Sequence, residues 1–410
     1  MDMESSLREV APGVFALPEE LCERFNASGE NLTNVRCLEH APYLTSEAAT
    51  RAVVLAVMAV VSFIGNLMTI ISIAGTRAGR RRKNQTWSAV YALILHLSIS
   101  DLLVTVFCIA GEALWSYTVE WRAGNLSCKV FKFLEMFSLY LSTFILVLIG
   151  LDRFVAVRYP IRAISTAKRC SRFVAVAWLL SIILSIPQLI IFHEGKGPFY
   201  EEFYQCVTYG FYTEPWQEQL YTTFSFVCMF MLPLLILIAS YVSTIVTISK
   251  SDKIFQNENV NSARKYDVNR RRLIHKAKVK SLRISLVIVV TFIIWWTPYY
   301  TMMIIFMFLN PDKHLSEELQ KGIFFFGMSN SLVNPVIYGA FHLWRPKKAG
   351  SLREGSSTNT RLSRGGTRGR DEETTFVLLE QQQLSRNPSS RLLSRSRNDS
   401  YQPAVRNQAI

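Results

Sequence analysis

Five ionisable side chains, His96, Asp101, Glu112, Lys132 and Glu135, stand inside stretches that are otherwise apolar. A charged pair, Asp152-Arg153, closes the third such stretch in "IGLDRFVAVRYP". Charges in apolar surroundings are costly and are kept where they recognise a partner or hold a switch. Bond-making chemistry is not what they suggest. An intramembrane protease needs a catalytic pair at depth, yet only Asp101 lies deep, and His96 has no serine nucleophile motif beside it. The chain therefore reads as no enzyme. Trp115, Tyr299 and Tyr300 accompany Glu112 and Glu135 near the ends of their stretches, and ring faces with a few acceptors suit a ligand carrying rings and amides. The two carboxylates have a second use open to them, which is to pair with Lys132.

The elements that must position these groups follow from hydropathy. Half of the 410 residues are hydrophobic and only 19% are charged, with mean hydropathy +0.19, which points to the membrane before any soluble class. Crossing a bilayer takes roughly 20 apolar residues in a helix. Seven runs meet that length: Ala52 to Ala74, Ala89 to Leu114, Val130 to Val157, Phe173 to Phe192, Leu220 to Ile248, Ile284 to Leu309 and Gly322 to Trp344. The expected fold is an all-α membrane protein, a seven-transmembrane helix bundle. Pro187, Pro233, Pro298 and Pro335 fall inside spans and predict bends. A channel or transporter would show internal repeats or a charged pathway through several spans, and neither is present.

Basic residues fix the orientation. The connections after spans one, three and five and the segment after span seven hold 35 of the 45 lysines and arginines, so they face the cytoplasm and the N-terminus lies outside. Anionic inner-leaflet lipid accounts for this charge, and nucleic acid is not implied. The domains expected are an extracellular tail over residues 1–47, the bundle over 48–348, and a cytoplasmic tail over 349–410 too poor in apolar residues to fold. The polar, basic loop from Ser249 to Lys280 reads as a cytoplasmic extension of helices five and six, meeting either a partner protein or lipid headgroups. No signal peptide is evident, so the first span is expected to direct insertion.

Four cysteines fall outside, an even set that permits disulfides: Cys22, Cys37, Cys128 and Cys206. A Cys128–Cys206 bridge would pin the loop before span five over the bundle mouth, leaving Cys22 with Cys37. Asn26 and Asn31 sit in glycosylation sequons on the outer tail. Asn125 is in a third, close to the bilayer.

Each span carries one polar or aromatic signature: Asn66, Asp101, Asp152-Arg153, Trp178, Pro233, "WWTPYY" from Trp295 to Tyr300, and "NPVIY" from Asn334 to Tyr338. In that order they resemble the rhodopsin-like G-protein-coupled receptors over about Ala48 to Lys348. The segments "HLSISDLLVTVFCIAGEALW", "SLYLSTFILVLIGLDRFVAVRYP" and "IFFFGMSNSLVNPVIYGAFHLW" resemble the insect adipokinetic hormone receptors, relatives of gonadotropin-releasing-hormone and corazonin receptors.

That resemblance implies a plasma-membrane receptor for a short peptide hormone blocked at both ends. It implies a heterotrimeric G protein signalling through calcium or cyclic AMP, with arrestin and receptor kinases acting at the tail. Its ligand site would include Glu112, Trp115, Glu135, Tyr299 and Tyr300. Trp296 with Phe292 matches the family's rotamer switch, Arg153 its G-protein contact, and Tyr241 and Tyr338 positions that steady the active state. Asn334 and Pro335 fall in the same switch. No organic cofactor is expected. Asp101, Ser142, Asn330, Ser331 and Asn334 match a resting-state sodium site, a negative modulator; the other reading is a protonated Asp101 with hydrogen bonds alone.

The chain departs from the family pattern in three places. Trp295 stands where relatives often carry cysteine, so its bulk must meet lipid or another helix. From Val268 to Pro311 there is no Asp or Glu, which removes the usual acid at the foot of span six and leaves Asp152 to restrain Arg153. No cysteine follows span seven to take a palmitoyl anchor, so a short amphipathic helix bearing Phe341, Leu343 and Trp344 is expected to hold the membrane. Span seven has no lysine for a retinal Schiff base. A corazonin-type or intermediate peptide is the alternative ligand, and an amine the more remote one.

Overall fold

The computed structural model describes residues 8–11, 14–27, 35–82, 89–159, 166–258, 265–305 and 326–339. Six helices there are long and apolar enough to cross a membrane: Ser46–Gly79, Ala89–Thr118, Asn125–Arg158, Cys170–Ile191, Pro215–Lys250 and Leu286–Ile304. These are spans one to six. Span seven is described over 326–339, with helix Asn330–Tyr338. The segment after it, with Phe341, Leu343 and Trp344, and the whole cytoplasmic tail lie outside the described residues.

Span one illustrates how sequence selects a face. Ala52, Leu55, Ala59, Ser62, Asn66, Thr69 and Ile73 recur every three or four residues and are all buried, forming one stripe of a helix. Val53, Val57, Val60, Ile64 and Ile71 are exposed yet apolar, because their surroundings are lipid rather than water. Gly65 lets span seven come close: a Cβ there would stand 3.3 Å from Pro335. Span three is the most enclosed, with 72% of its apolar window buried against 28% in spans one, five and six. It packs on spans two, four, five and six. Glu135, Ser142 and Arg153, at three heights on this helix, therefore address three different levels of the bundle.

π-helical turns interrupt the α-geometry at Thr105–Ala110 in span two and at Val227–Met231 in span five. Each adds a residue to a turn and rotates the helix beyond it. The first lies between Asp101 and Glu112, so it re-aims Glu112 and Trp115 toward the outer mouth. Pro298 sits inside the span-six helix and Pro335 inside that of span seven. On the cytoplasmic side the span-five helix runs on to Glu258, and the span-six helix begins at Lys265. The basic loop is thus largely an extension of these two helices.

Outside the bundle the N-terminal segment is folded, which its sequence did not announce. Strands β1 (Arg8–Ala11) and β2 (Val14–Pro18) pair antiparallel, helix Glu19–Ala27 comes next, and β3 (Val35–Leu38) returns parallel to β2. Ala16, Leu17 and Cys22 are buried. So small a core needs a staple, and the Cys22–Cys37 disulfide supplies it. In the loop after span four, β4 (His193–Lys196) and β5 (Tyr204–Val207) form a hairpin.

The N-terminal module clasps the hairpin tip. Arg8 Nη2 lies 3.0 Å from Glu202 and Arg8 Nη1 donates to the Tyr200 carbonyl. Tyr200 N–H donates to the Glu39 carbonyl at 2.9 Å. Glu201 accepts from Ala41 N–H at 2.7 Å and meets His40 Nδ1 at 2.6 Å. Asn26 falls on the module's helix, whereas Asn31 lies outside the described residues. Asn125 accepts Glu194 N–H on its side-chain oxygen at 3.1 Å.

Candidate ligand site and switch network

The mouth of the bundle is built around the Cys128–Cys206 disulfide, Cα atoms 5.5 Å apart. It ties the β4–β5 hairpin to the first turn of span three. Trp121, Cys128 and Cys206 form a buried cluster with Trp115, Phe131 and Phe192 against it. Gly111 makes room for the Phe131 ring beneath this cluster, since a Cβ there would stand 2.3 Å from the tip of that ring and force it to move.

One turn deeper, Lys132 Nζ donates to Glu135 Oε2 at 2.9 Å, with side chains 14% and 10% exposed. The ammonium sits 4.7 Å from the Trp115 ring centre and within 6 Å of Phe131 and Phe192. Glu112 lies within electrostatic reach of the same ammonium. The mouth thus holds two carboxylates, one ammonium and an aromatic wall. Water is largely excluded, so removing Lys132 takes from the Glu135 carboxylate its hydrogen-bonded counter-charge, whereas removing Glu135 leaves the ammonium with Glu112 in reach.

Below lies an aromatic floor. Tyr299 and Tyr300 pack ring to ring at 4.9 Å. Tyr300, 3% exposed, stacks on Phe230 at 4.8 Å and touches Trp296 at 5.9 Å. Phe292, fully buried, stacks on Phe230 and meets Trp296. Spans five and six therefore meet through a continuous ring stack extending from the mouth to Trp296. Trp295 turns the other way, donating to Ser329 Oγ at 2.7 Å and stacking on Phe326 at 5.6 Å. Its bulk is absorbed by span seven.

At mid-membrane Asp101 is wholly buried. Ser142 Oγ donates to its Oδ1 at 2.7 Å and Asn334 Nδ2 to its Oδ2 at 2.9 Å. Spans two, three and seven are joined through that one carboxylate. A second network runs beside it: Ser62 Oγ contacts Thr105 Oγ1 at 2.7 Å, Thr105 donates to the Asp101 carbonyl, and Asn66 Nδ2 donates to the Ser331 carbonyl at 3.1 Å. Ser331 belongs to this second network, its hydroxyl meeting Ser62. The Asn330 side-chain oxygen is buried without a hydrogen-bond partner among the described residues.

At the cytoplasmic end Arg153 Nη2 donates to Asp152 Oδ2 at 2.6 Å, both side chains 12% exposed. Tyr241 packs against the bundle core. Tyr338 ends the span-seven helix, its side chain outside the described residues.

Comparison with known proteins decides what such a bundle is. Residues 65–338 match the family described as 7 transmembrane receptor (rhodopsin family). The chain belongs to that family. This receptor is 38% identical over 361 residues to the gonadotropin-releasing hormone receptor of Octopus vulgaris, covering 86% of this chain and 85% of that one. It is 34% identical over 305 residues to the gonadotropin-releasing hormone II receptor of Clarias gariepinus, covering 73% and 77%. With the gonadotropin-releasing hormone receptor of Mus musculus it shares 32% over 272 residues, covering 64% and 80%. The seven-transmembrane fold expected from hydropathy is the fold of this family, and the receptor is a multi-pass membrane protein.

The residues singled out from sequence fall at three levels of the receptor. Trp115 and Glu135 gather with Glu112 around Lys132 at the mouth. Tyr299 and Tyr300 form the roof of the ring stack, and Tyr300 is too enclosed to be a surface of the mouth itself. Asp101, Ser142 and Asn334 meet directly, whereas Ser331 is a neighbour of that cluster rather than a contact of Asp101. Sequence reading passed over Gln205, which joins the hairpin to Trp115, and Ser62 and Thr105, which link spans one and two. The signal for the last two was their place on the buried stripe; for Gln205 there was none beyond adjacency to Cys206.

Proposed function

We propose that this receptor binds a short peptide hormone of the adipokinetic type, blocked at both ends, and passes that event to a heterotrimeric G protein at the plasma membrane. The observation that carries this reading is the Lys132–Glu135 pair under the Trp115 face, enclosed by the disulfide-held hairpin. An amine ligand calls for an acid whose charge is still to be met. Here Lys132 already meets the charge of Glu135 and has Glu112 in reach as well, so both acids stand about an ammonium of the receptor's own, beside a ring wall. The curated relatives carry the names of peptide-hormone receptors, which supports the peptide class. The adipokinetic type rests on the three resembling segments.

The mechanism is a population shift. Peptide binds better to a conformation in which span six has moved outward about Pro298, and the G protein binds the same conformation at Arg153. The ring stack from Tyr300 through Trp296 to Phe292 is the bistable element between them. Arrestin and receptor kinases act on the serine- and threonine-rich tail.

A sodium ion at Asp101 belongs to the same reading. The carboxylate and the Ser142 hydroxyl that meets it are hard oxygen ligands suited to a small cation, and Asn330, whose side-chain oxygen has no hydrogen-bond partner among the described residues, is on the same helix as Asn334. Such an ion supplies a positive charge beside Asp101 in the resting state.

The test is calcium and cyclic AMP readout in transfected cells challenged with synthetic adipokinetic, corazonin-type and intermediate peptides. Response to the adipokinetic group at the lowest dose supports the assignment. Preference for corazonin-type peptides moves it to the alternative, and silence to all at micromolar dose removes it.

A further inference from the structure

Span two ends in a backbone conformation that L residues avoid. Val119 has φ 61° and ψ −37°, the one non-glycine with positive φ among the described residues, and it is β-branched, which makes the conformation still less common. Such geometry persists where surrounding contacts over-determine it. Here they come from two directions. Val119 N–H donates to the Trp115 carbonyl at 2.9 Å, and the Val119 carbonyl accepts from Gln205 Nε2 at 2.5 Å. Two residues on, Trp121 N–H donates to the Tyr204 carbonyl at 2.9 Å.

The other half of the Gln205 amide is also engaged: its Oε1 accepts from Trp115 Nε1 at 2.9 Å. An indole N–H only donates and a backbone carbonyl only accepts, so these two partners fix which way the amide points. Few side chains can do this. Glutamate has no donor, lysine and arginine have no acceptor, and asparagine is one methylene shorter. Gln205 itself is held in place, because Cys206 beside it is bridged to Cys128 on span three. The face of the indole it fixes is the one that carries the Lys132 ammonium at 4.7 Å, and Lys132 holds Glu135.

We propose that Gln205 is the positioning residue of the ligand site. Both of its polar atoms are used by the receptor, so it acts through Trp115 rather than by touching ligand. It sets the indole over Lys132 before ligand arrives, and a preorganised wall slows the loss of ligand once bound. This role rests on the reading of the mouth as the ligand site.

The experiment has one arm that needs no ligand. Receptor carrying 5-fluorotryptophan is placed in lipid nanodiscs, and Trp115→Phe identifies the Trp115 fluorine resonance. Gln205→Met is expected to move and broaden that resonance. Gln205→Glu, which sets an acceptor against the Val119 carbonyl where the amide donated, is expected to move it too and serves if the methionine variant does not reach the membrane; an unmoved resonance there overturns the proposal equally. An unmoved Trp115 resonance in Gln205→Met overturns the proposal. In the second arm a fluorescent blocked peptide of the adipokinetic type is followed by stopped flow. Dissociation from Gln205→Met should be about tenfold faster with association little changed, as for most interface changes, and the maximal G-protein response should be retained. Unchanged dissociation overturns the proposal as well. If wild-type receptor binds no such peptide, the functional reading falls, while the fluorine arm still decides Gln205.

Discussion

Arg153 is held by its own neighbour in the chain: its Nη2 donates to Asp152 Oδ2 at 2.6 Å, and each side chain is 12% exposed. A restraint between consecutive residues moves as one body with span three. This contact by itself does not tie span three to span six. The Arg153 Nε, buried and without a hydrogen-bond partner among the described residues, leaves one donor for an incoming partner.

Asp152→Asn should raise ligand-independent signalling. Weakening the restraint by about 1 kcal/mol shifts the population roughly fivefold. Arg153→Ala should silence signalling while peptide binding persists. Both are read as second-messenger output normalised to surface expression. Basal output unchanged in Asp152→Asn would mean that Arg153 is restrained elsewhere.

The Lys132–Glu135 pair separates stability from recognition. Lys132→Met strands a buried carboxylate and should lower thermal stability of the purified receptor, with a cost of about 3–5 kcal/mol. Combining it with Glu135→Gln should recover most of that loss, because the carboxylate that Lys132 paired with is then neutral as well. Peptide binding should stay impaired in the double variant. Recovery of binding along with stability would show the pair to be structural alone.

Sodium should weaken agonist binding. Replacing sodium with N-methylglucamine at constant ionic strength should raise agonist affinity in wild type, by linkage to the state that excludes the ion. In Asp101→Asn the difference should vanish. Equal affinity in both salts for wild type would favour hydrogen bonds alone at Asp101.

The clasp between N-terminal module and hairpin should depend on pH. The hydrogen bond to Glu201 raises His40 above 6.5, with Glu20 adding to it. Ala41 N–H, and then His40, lower Glu201 below 4.5. His40 contributes fully below 6.5 and its contribution fades as pH climbs through its raised value. That of Glu201 is present above 4.5 and fades as pH falls through its depressed value. The clasp is tightest between those limits. Around His40 stand Glu201, Glu39, Glu20 and the edge of the Tyr200 ring, with Arg8 and Glu202 beyond. An NMR titration of His40 should give a midpoint above 6.5 that drops in Glu201→Gln. A midpoint at or below 6.5 in wild type would contradict the contact.

How much of this could be read from sequence depends on what signal each part carries. The spans were legible because lipid demands long apolar runs, and the buried stripe of span one from Ala52 to Ile73 follows from helical period alone. Asp101 and Asp152-Arg153 stood out because charge in an apolar run is rare. Trp295 could be narrowed only to lipid or a helix; Ser329 and Phe326 are 30 or more residues away and no local pattern names them. The β1–β3 module was hidden because four- and five-residue strands carry almost no periodicity, and among its described residues the buried ones, Ala16, Leu17, Pro18 and the bridged Cys22, are few. The π turn at Thr105–Ala110 leaves no mark in hydropathy. Gln205 was invisible for the same reason as Val119: its role arises from two loops meeting, not from its own neighbourhood.

The most direct measurement is saturation binding of a labelled adipokinetic-type peptide, blocked at both ends, to membranes carrying wild-type receptor or Glu135→Gln, Glu112→Gln and Trp115→Ala variants at matched surface expression. Wild type should bind saturably, and each variant should bind at least about tenfold more weakly, a loss of about 1.4 kcal/mol. Absence of saturable binding to wild type, or equal affinity across the variants, would contradict the placement of a peptide hormone at this mouth.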